Sequence, residues 1–175
     1  MSSPASQPHF TPEFAATYRD ITLARIEQEH PTTRRVIGNV PDNQREYKPE
    51  PNSRSAWDLA CHVAQSDVWF LNSIADRNFE WTGEPPRPFD TVAGLLKWYE
   101  AEFKKAAARV RAMSPQDLLK PVPFFGIMTM PAFLFLQFAQ DHTVHHRGQL
   151  TTYLRPMGSK VPDIYGGSFD EPFKG

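Results

Sequence analysis

Four long segments with helical periodicity constrain the fold of this chain more than any other feature of its sequence. They cover residues 12–38, 55–77, 90–113 and 131–155, and proline-containing connections separate them. Helices that each carry an apolar face must bury those faces against one another. With four such helices and two longer connections, the simplest packing is an all-α four-helix bundle.

Capping patterns predict where these helices begin. Thr11 is a favourable N-cap followed by proline, and Ser55 begins the capping-box pattern SAWD. Asp90 can cap the third helix. Pro31 lies inside the first periodic segment, so we expect a kink or a short break there. Residues 114–117 predict a short helical turn, and residues 121–130 predict an irregular segment or a small β excursion.

The first helix has the least clear apolar face. Leu23 and Ile26 lie off its main stripe, which consists of Phe14, Tyr18, Ile21 and Ala24. Residues 1–10 are expected to form a flexible tail, and residues 11–175 a single domain, because 175 residues is the length of one ordinary domain.

Composition and charge narrow the class of protein. Nineteen basic and twenty acidic residues give a net charge of −1, which does not favour nucleic-acid binding. The single cysteine, Cys61, excludes an internal disulfide framework and suits a reducing compartment, so we expect a cytoplasmic protein. The N-terminal sequence does not resemble a signal peptide, and no stretch approaches the ~20 apolar residues of a membrane span.

The stretch DHTVHHRGQL, residues 141–150, contains three of the six histidines. His142 and His146 are four residues apart, so on a helix their imidazoles lie on one face and can reach one metal ion. His145 is three residues from His142 and could replace His146. These histidines interrupt an otherwise aromatic face. Buried imidazoles are unfavourable unless they are hydrogen-bonded or bound to metal.

A metal site of this kind needs a third ligand, and His62 is the best candidate. It interrupts the apolar face of the second helix, whereas Cys61 points about 100° away and is interpreted as a small buried residue. A lone histidine, or a lone HxxxH, is more often a packed side chain than a ligand. Two separate interruptions favour a metal site, but spacing alone leaves packed histidines as an equal alternative.

Other polar patterns have simpler interpretations. Glu27 and His30 form one ExxH half-motif, but di-iron bundles need two such motifs and further carboxylates, so a solvated face is predicted. Arg147 is rotated off the histidine face and is expected to pair with Asp141 or with a carboxylate on a neighbouring helix. Gln149 is expected to hydrogen-bond across the bundle.

The segment DHTVHHRGQL, followed by TTYLRPMG, resembles the final helix of the DinB/YfiT-like family of metal-dependent proteins. YKPEPNSRSAWDLACHVAQ resembles the family's loop and second helix, and VPDIYGG its C-terminal segment, so the resemblance covers most of residues 12–167. It implies an up-and-down four-helix bundle with an unusual connection order, often a homodimer. It also implies that His62, His142 and His146 bind a divalent metal ion, with His145 as a neighbour of the last ligand.

The resemblance also implies an activity. Family members with known activity are transferases or isomerases that use a low-molecular-weight thiol such as bacillithiol or mycothiol. We therefore expect a metal-dependent enzyme that joins a thiol sulfur to a small electrophilic substrate. The alternatives are hydrolysis by metal-bound hydroxide, for which no general base stands out, and a non-catalytic metal-binding bundle of a stress response. Three histidines suit Zn, Ni, Fe, Mn or Cu, so the sequence does not identify the metal.

Overall fold

Four long helices form the body of the protein in a computed structural model, which describes residues 9–83 and 85–173. They are α1 (Pro12–Gly38), α2 (Ala56–Asp76), α3 (Val92–Arg111) and α5 (Phe135–Leu154), with a short α4 (Pro115–Leu118) before the last. Most of the predicted flexible tail, residues 1–8, lies outside the described residues. The predicted all-α four-helix bundle is confirmed.

The helices do not follow one another around the bundle. Helices α1 and α2 each pack against both α3 and α5. Consecutive helices α1 and α2 therefore occupy opposite corners, and the chain between them crosses one end of the bundle. This arrangement places α2 beside α5, which brings the two histidine-bearing helices into contact. Within residues 9–83 and 85–173, none of the helices has the length and apolar character needed to cross a bilayer.

Side-chain hydroxyls cap the helices largely as predicted. Thr11 and Ser55 cap α1 and α2, and each hydroxyl accepts a hydrogen bond from the backbone N–H three residues later. For α3 the prediction is wrong by one residue, because Thr91 caps the helix instead of Asp90. Thr91 has extended backbone, and its Oγ1 accepts from the N–H of Gly94 at 3.1 Å.

Helix α1 continues through Pro31, so a break there is wrong, whereas the alternative of a kink stays a prediction. The sequence left the inward face of this helix undefined. The stripe of Phe14, Tyr18, Ile21 and Ala24 does not form it, since Phe14 is 47% exposed and Ile21 is 67% exposed. Leu23 and Ile26 are buried in their place. The inward face of α1 carries polar residues as well, which obscure its apolar periodicity.

A small β-hairpin covers one end of α2 and α5. Strands β1 (Pro121–Phe124) and β2 (Met128–Pro131) pair antiparallel, in agreement with the predicted β excursion. Phe124 of β1 packs its ring against Phe70 of α2 and against Phe135 and Phe138 of α5. The hairpin therefore extends the aromatic core beyond the helices, on the side of the bundle where the histidines lie.

One buried carboxyl group links three helices. Asp67 of α2 accepts hydrogen bonds from the hydroxyl of Tyr99 in α3 at 2.5 Å and from Thr143 in α5 at 3.3 Å. Burial raises the pKa of Asp67 to about 6, although these hydrogen bonds oppose the change. Because Thr143 follows His142 directly, this link fixes the rotation of α5 relative to α2.

The predicted solvated ExxH face is wrong at His30, which is buried in the core of the bundle. Its ring stacks on Phe103, with centroids 3.8 Å apart, and meets the edge of Tyr99. Burial lowers the pKa of His30 to about 4, although Glu100, 3.4 Å away, favours the charged form. The folded state therefore holds His30 neutral where the unfolded chain binds a proton.

This pKa shift predicts a pH dependence of stability. A lowered pKa contributes stability that is present above the unfolded value of 6.5 and is lost as the pH falls toward about 4. The free energy of unfolding should fall between about pH 7 and pH 5. We expect this fall to be about 2 kcal/mol smaller in His30→Gln than in the unchanged protein. Urea titrations at both pH values measure this, with His9→Gln as a control at an exposed position. Equal losses for His30→Gln and the unchanged protein would contradict it.

Candidate metal centre

Three histidines from two helices converge at one point on the side of the bundle. His62 lies on α2, and His142 and His146 lie on α5. Each offers one ring nitrogen such that the three nitrogens lie within 4.8 Å of one another. The ring centroid of His62 is 5.1 Å from that of His142 and 4.6 Å from that of His146. The structure thus brings together the three histidines singled out in the sequence.

The neighbouring candidates lie outside this group. His145 is exposed, and its ring meets the edge of His146 with centroids 4.7 Å apart. Cys61 is fully buried in the hydrophobic core, as the sequence predicted. Of the two histidines that spacing left open, His146 and not His145 therefore converges with His62 and His142.

Two of the three imidazoles are oriented by side chains on their own helices. Nδ1 of His146 bonds to Oε1 of Gln149 at 3.0 Å, and Nδ1 of His62 lies 3.3 Å from Oγ of Ser66. The prediction that Gln149 bonds across the bundle is therefore wrong. The carbonyl oxygen of Gln149 accepts a hydrogen bond from a protonated Nδ1 of His146, which leaves Nε2 of that ring free as a ligand atom. The hydroxyl of Ser66 can donate or accept, so it orients the ring of His62 with either nitrogen protonated. The sequence signal for this role was the spacing of three or four residues on one helix face.

Burial keeps the histidines neutral. It lowers the pKa of His62 to about 3 and that of His142 to about 4, and it also lowers the pKa of His146. The positive charge of Arg54, in the loop before α2, acts on all three rings in the same direction. Neutral imidazoles have the free lone pair that a metal ion needs. Sequence reasoning missed Arg54, because nothing periodic marks it.

The donor set fits a divalent metal ion. Nδ1 of His142 is a buried ring nitrogen without a hydrogen-bond partner among the described residues. A buried polar atom without a partner is unfavourable and needs an explanation. Beside other neutral imidazoles, a bound ion or a catalytic role provides one. Three neutral nitrogen ligands suit Zn and the neighbouring transition metals, and leave at least one coordination position for another ligand.

An open pocket adjoins the histidines. Its volume is about 370 Å³, within the usual range for small-molecule sites. His62 and His142 form part of its wall, and the remaining lining residues are Ser66, Trp69, Phe70, Trp81, Phe124, Phe125 and Phe138. A ligand in this pocket would therefore lie directly against the imidazoles. Trp81 and Phe125 come from a loop and from the hairpin, and neither shows helical periodicity.

Arg147 follows His146 but belongs to a different, buried cluster. Its guanidinium bonds to the carboxylate of Glu29 in α1 at 2.6 Å, and both side chains are almost completely buried. The hydroxyl of Tyr165, in the C-terminal segment, bonds to both of them, at 2.5 Å and 2.9 Å. The predicted pairing with a neighbouring helix is confirmed, and the alternative partner Asp141 is wrong, since Asp141 accepts from Gln137.

The fold and the site together define the class of protein. It is a four-helix bundle in which three histidines converge beside a pocket and could hold a metal ion. The model of the DinB family matches residues 16–173. The chain therefore belongs to the DinB family.

Relatives of known sequence and structure agree with this assignment. The Bacillus subtilis (strain 168) protein YrdA is 26% identical over 156 residues, which covers 87% of this chain and 90% of YrdA. YjoA of the same organism is 27% identical over 136 residues, covering 76% and 86%. The crystal structure of YjoA, a DinB-like protein, matches with a TM-score of 0.67 at 22% identity, covering 82% and 96%. A DinB-like protein from Bacillus cereus matches with 0.69 at 24%, covering 82% and 95%. These structures share the fold.

Proposed function

We propose that this protein is a metal-dependent enzyme that joins the sulfur of a low-molecular-weight thiol to a small electrophilic substrate. One observation carries the proposal: three neutral imidazole nitrogens within 4.8 Å of one another lie beside a pocket of about 370 Å³. His62, His142 and His146 would hold the ion. The family resemblance supports the choice of a thiol as the second substrate.

The reaction follows from the chemistry of the thiol. His62, His142 and His146 would hold a divalent ion, and that ion would favour a thiolate over a thiol by stabilising its negative charge. The sulfur forms a bond to the electrophilic carbon, the leaving group departs with its electron pair, and the thiol proton passes to water. Gln149 and Ser66 hold the imidazoles in orientation. The aromatic wall of the pocket would place apolar surface beside the reacting carbon.

Two alternatives have less support. Hydrolysis needs a general base, and no carboxylate lines the pocket in the part of the chain that the structure describes. A purely structural metal site has four protein ligands, whereas the group described here supplies three.

A homodimer is part of the proposal as well, and the exposed Phe14 and Ile21 on α1 support it.

The first test is the metal content of protein purified without a polyhistidine tag. We expect about one divalent ion per chain by elemental mass spectrometry, because an open site of this kind binds one ion. The variants His62→Ala, His142→Ala and His146→Ala should each lose the ion, whereas His145→Ala, the matched control on the same helix, should retain it.

Activity is measured as consumption of the thiol in the presence of a model electrophile. Loss of both metal and activity in the three variants, with both retained in His145→Ala, supports the proposal. Metal binding that persists without His62 would overturn the assignment of the site. Metal binding without any thiol transfer would favour the non-catalytic alternative.

A further inference from the structure

We infer that the pocket beside the histidines binds a neutral aromatic group, so that the electrophile is an aryl compound with its reactive carbon at the histidine end. That this molecule is an electrophile rests on the proposed function; that an arene binds here does not. The inference depends on the composition of the wall, on its polarity at one end, and on a strained turn that holds one of its rings.

Aromatic rings form most of the wall. Trp69 of α2 is the central ring: Trp81 meets it edge-on, with centroids 5.5 Å apart, and Phe125 stacks parallel to it at 6.2 Å. The indole N–H of Trp69 donates to the backbone carbonyl of Glu80 at 3.2 Å, so its hydrogen-bonding capacity is already used. These side chains offer ring faces and edges to a ligand, and such surfaces prefer another aromatic ring.

Among the lining residues that the structure describes, the polar groups lie together at one end of the pocket. They are the imidazoles of His62 and His142 and the hydroxyl of Ser66, and no Asp, Glu, Lys or Arg lines the pocket within residues 9–83 and 85–173. A charge at the far end would lose its hydration without gaining a partner. The volume of about 370 Å³ is more than twice the roughly 150 Å³ of a cavity that takes up benzene. A two-ring arene with a short polar substituent therefore fits, with the substituent at the histidines.

The turn of the hairpin holds Phe125 in a conformation that is unfavourable for this residue. Phe125 has φ +50° and Gly126 has φ +71°, and the N–H of Ile127 donates to the carbonyl of Phe124 at 2.9 Å. Positive φ at both central positions is typical of a type I′ turn, where asparagine and glycine are preferred. A bulky aromatic residue there is strained. Phe125 is nevertheless 50% exposed, and its ring stacks on Trp69 beside the pocket.

Strain and exposure together indicate that the ring of Phe125 serves a ligand. If the ring only stabilised the hairpin, its removal would lower the melting temperature. Phe125→Asn separates the two roles, because asparagine suits the turn and lacks the ring. We expect its melting temperature to stay equal or rise, while binding of an arene weakens.

The experiment is isothermal titration of the full-length protein, metal-free and metal-loaded, with 2-naphthylmethanol. A second titrant, 6-(hydroxymethyl)-2-naphthoate, has the same polar substituent and a carboxylate at the opposite end. We expect the neutral compound to bind in both forms of the protein. In the metal-free form, where no ion can receive the carboxylate, we expect the naphthoate to bind at least about tenfold more weakly. Phe125→Asn should weaken binding of the neutral compound about fivefold.

Two further variants complete the test. Ile127→Asn is the matched control, since Ile127 lies in the same turn, is 74% exposed and does not line the pocket; its binding should be unchanged. Trp81→Ala should weaken binding as Phe125→Asn does, and it serves as the second measurement if Phe125→Asn folds poorly. Equal binding of the two naphthyl compounds to the metal-free protein, or unchanged binding in both Phe125→Asn and Trp81→Ala, would overturn the inference.

Failure of this inference and failure of the proposed function give different results. If the arene binds the metal-free protein with the expected dependence on Phe125, but no ion binds to the histidines, the aromatic site stands and the proposed function fails. If the ion binds through the three histidines and the arene does not bind, the metal site stands and the aromatic substrate class is wrong.

Discussion

Replacing Arg147 with alanine is expected to lower the free energy of unfolding by about 3–5 kcal/mol. The guanidinium is only 2% exposed and bonds to Glu29 at 2.6 Å. Without the guanidinium, the carboxylate of Glu29 would remain buried with one fewer positive charge and hydrogen bond to stabilise it. This is the main source of the loss. Arg25, at 2.8 Å on the exposed side of the same carboxylate, stays in place, so we expect a value near the lower end.

The measurement is urea unfolding of Arg147→Ala, Glu29→Gln and the double variant at pH 7. The double variant should be more stable than the sum of the two single losses predicts, because neither buried charge is then left without its partner. Arg35→Ala is a matched control, since Arg35 makes an exposed ion pair with Glu171 and should change stability by less than about 1 kcal/mol. A loss below about 1 kcal/mol for Arg147→Ala would contradict the prediction.

This cluster shows where sequence reasoning reached its limit. The prediction that Arg147 pairs with a neighbouring helix is correct, but the partner, Glu29, lies 118 residues away in the chain. Periodicity identifies a buried helix face by its apolar residues, so a charged residue is assigned to the surface unless other information is available. It therefore misjudged the inward face of α1, where Glu29 and His30 are buried among partners from other helices.

The helices and the histidine group were more accessible to sequence reasoning. Helices α2 and α3 have regular apolar spacing and hydroxyl-capped N-termini, whereas α5 begins at Phe135 without a side-chain cap. The histidines interrupt the apolar face of α2 and the aromatic face of α5. Convergence of His62 with His142 then needs only that α2 and α5 be neighbours. The pocket could not be predicted in the same way, because Trp81 and Phe125 lie in a loop and a turn whose positions depend on tertiary packing.

Addition of the correct divalent ion is expected to raise the free energy of unfolding by about 4 kcal/mol when the free ion is about 1,000 times its dissociation constant. The reason is that the unfolded chain does not hold His62 near His142 and His146, so the ion binds the folded state preferentially. For a chain of this size the gain corresponds to a rise in melting temperature of about 10 °C.

Melting curves of metal-stripped protein with added Zn, Ni, Fe(II) or Mn measure this stabilisation. His62→Ala removes the ligand from α2 and leaves only the pair on α5, so its melting temperature should respond much less to the ion. His145→Ala should respond as the unchanged protein does, because His145 lies outside the group. If His62→Ala were stabilised as strongly as the unchanged protein, the ion would not link α2 to α5. The pair His142 and His146, or another site, would then account for binding, and the pocket beside His62 would lose its connection to the metal.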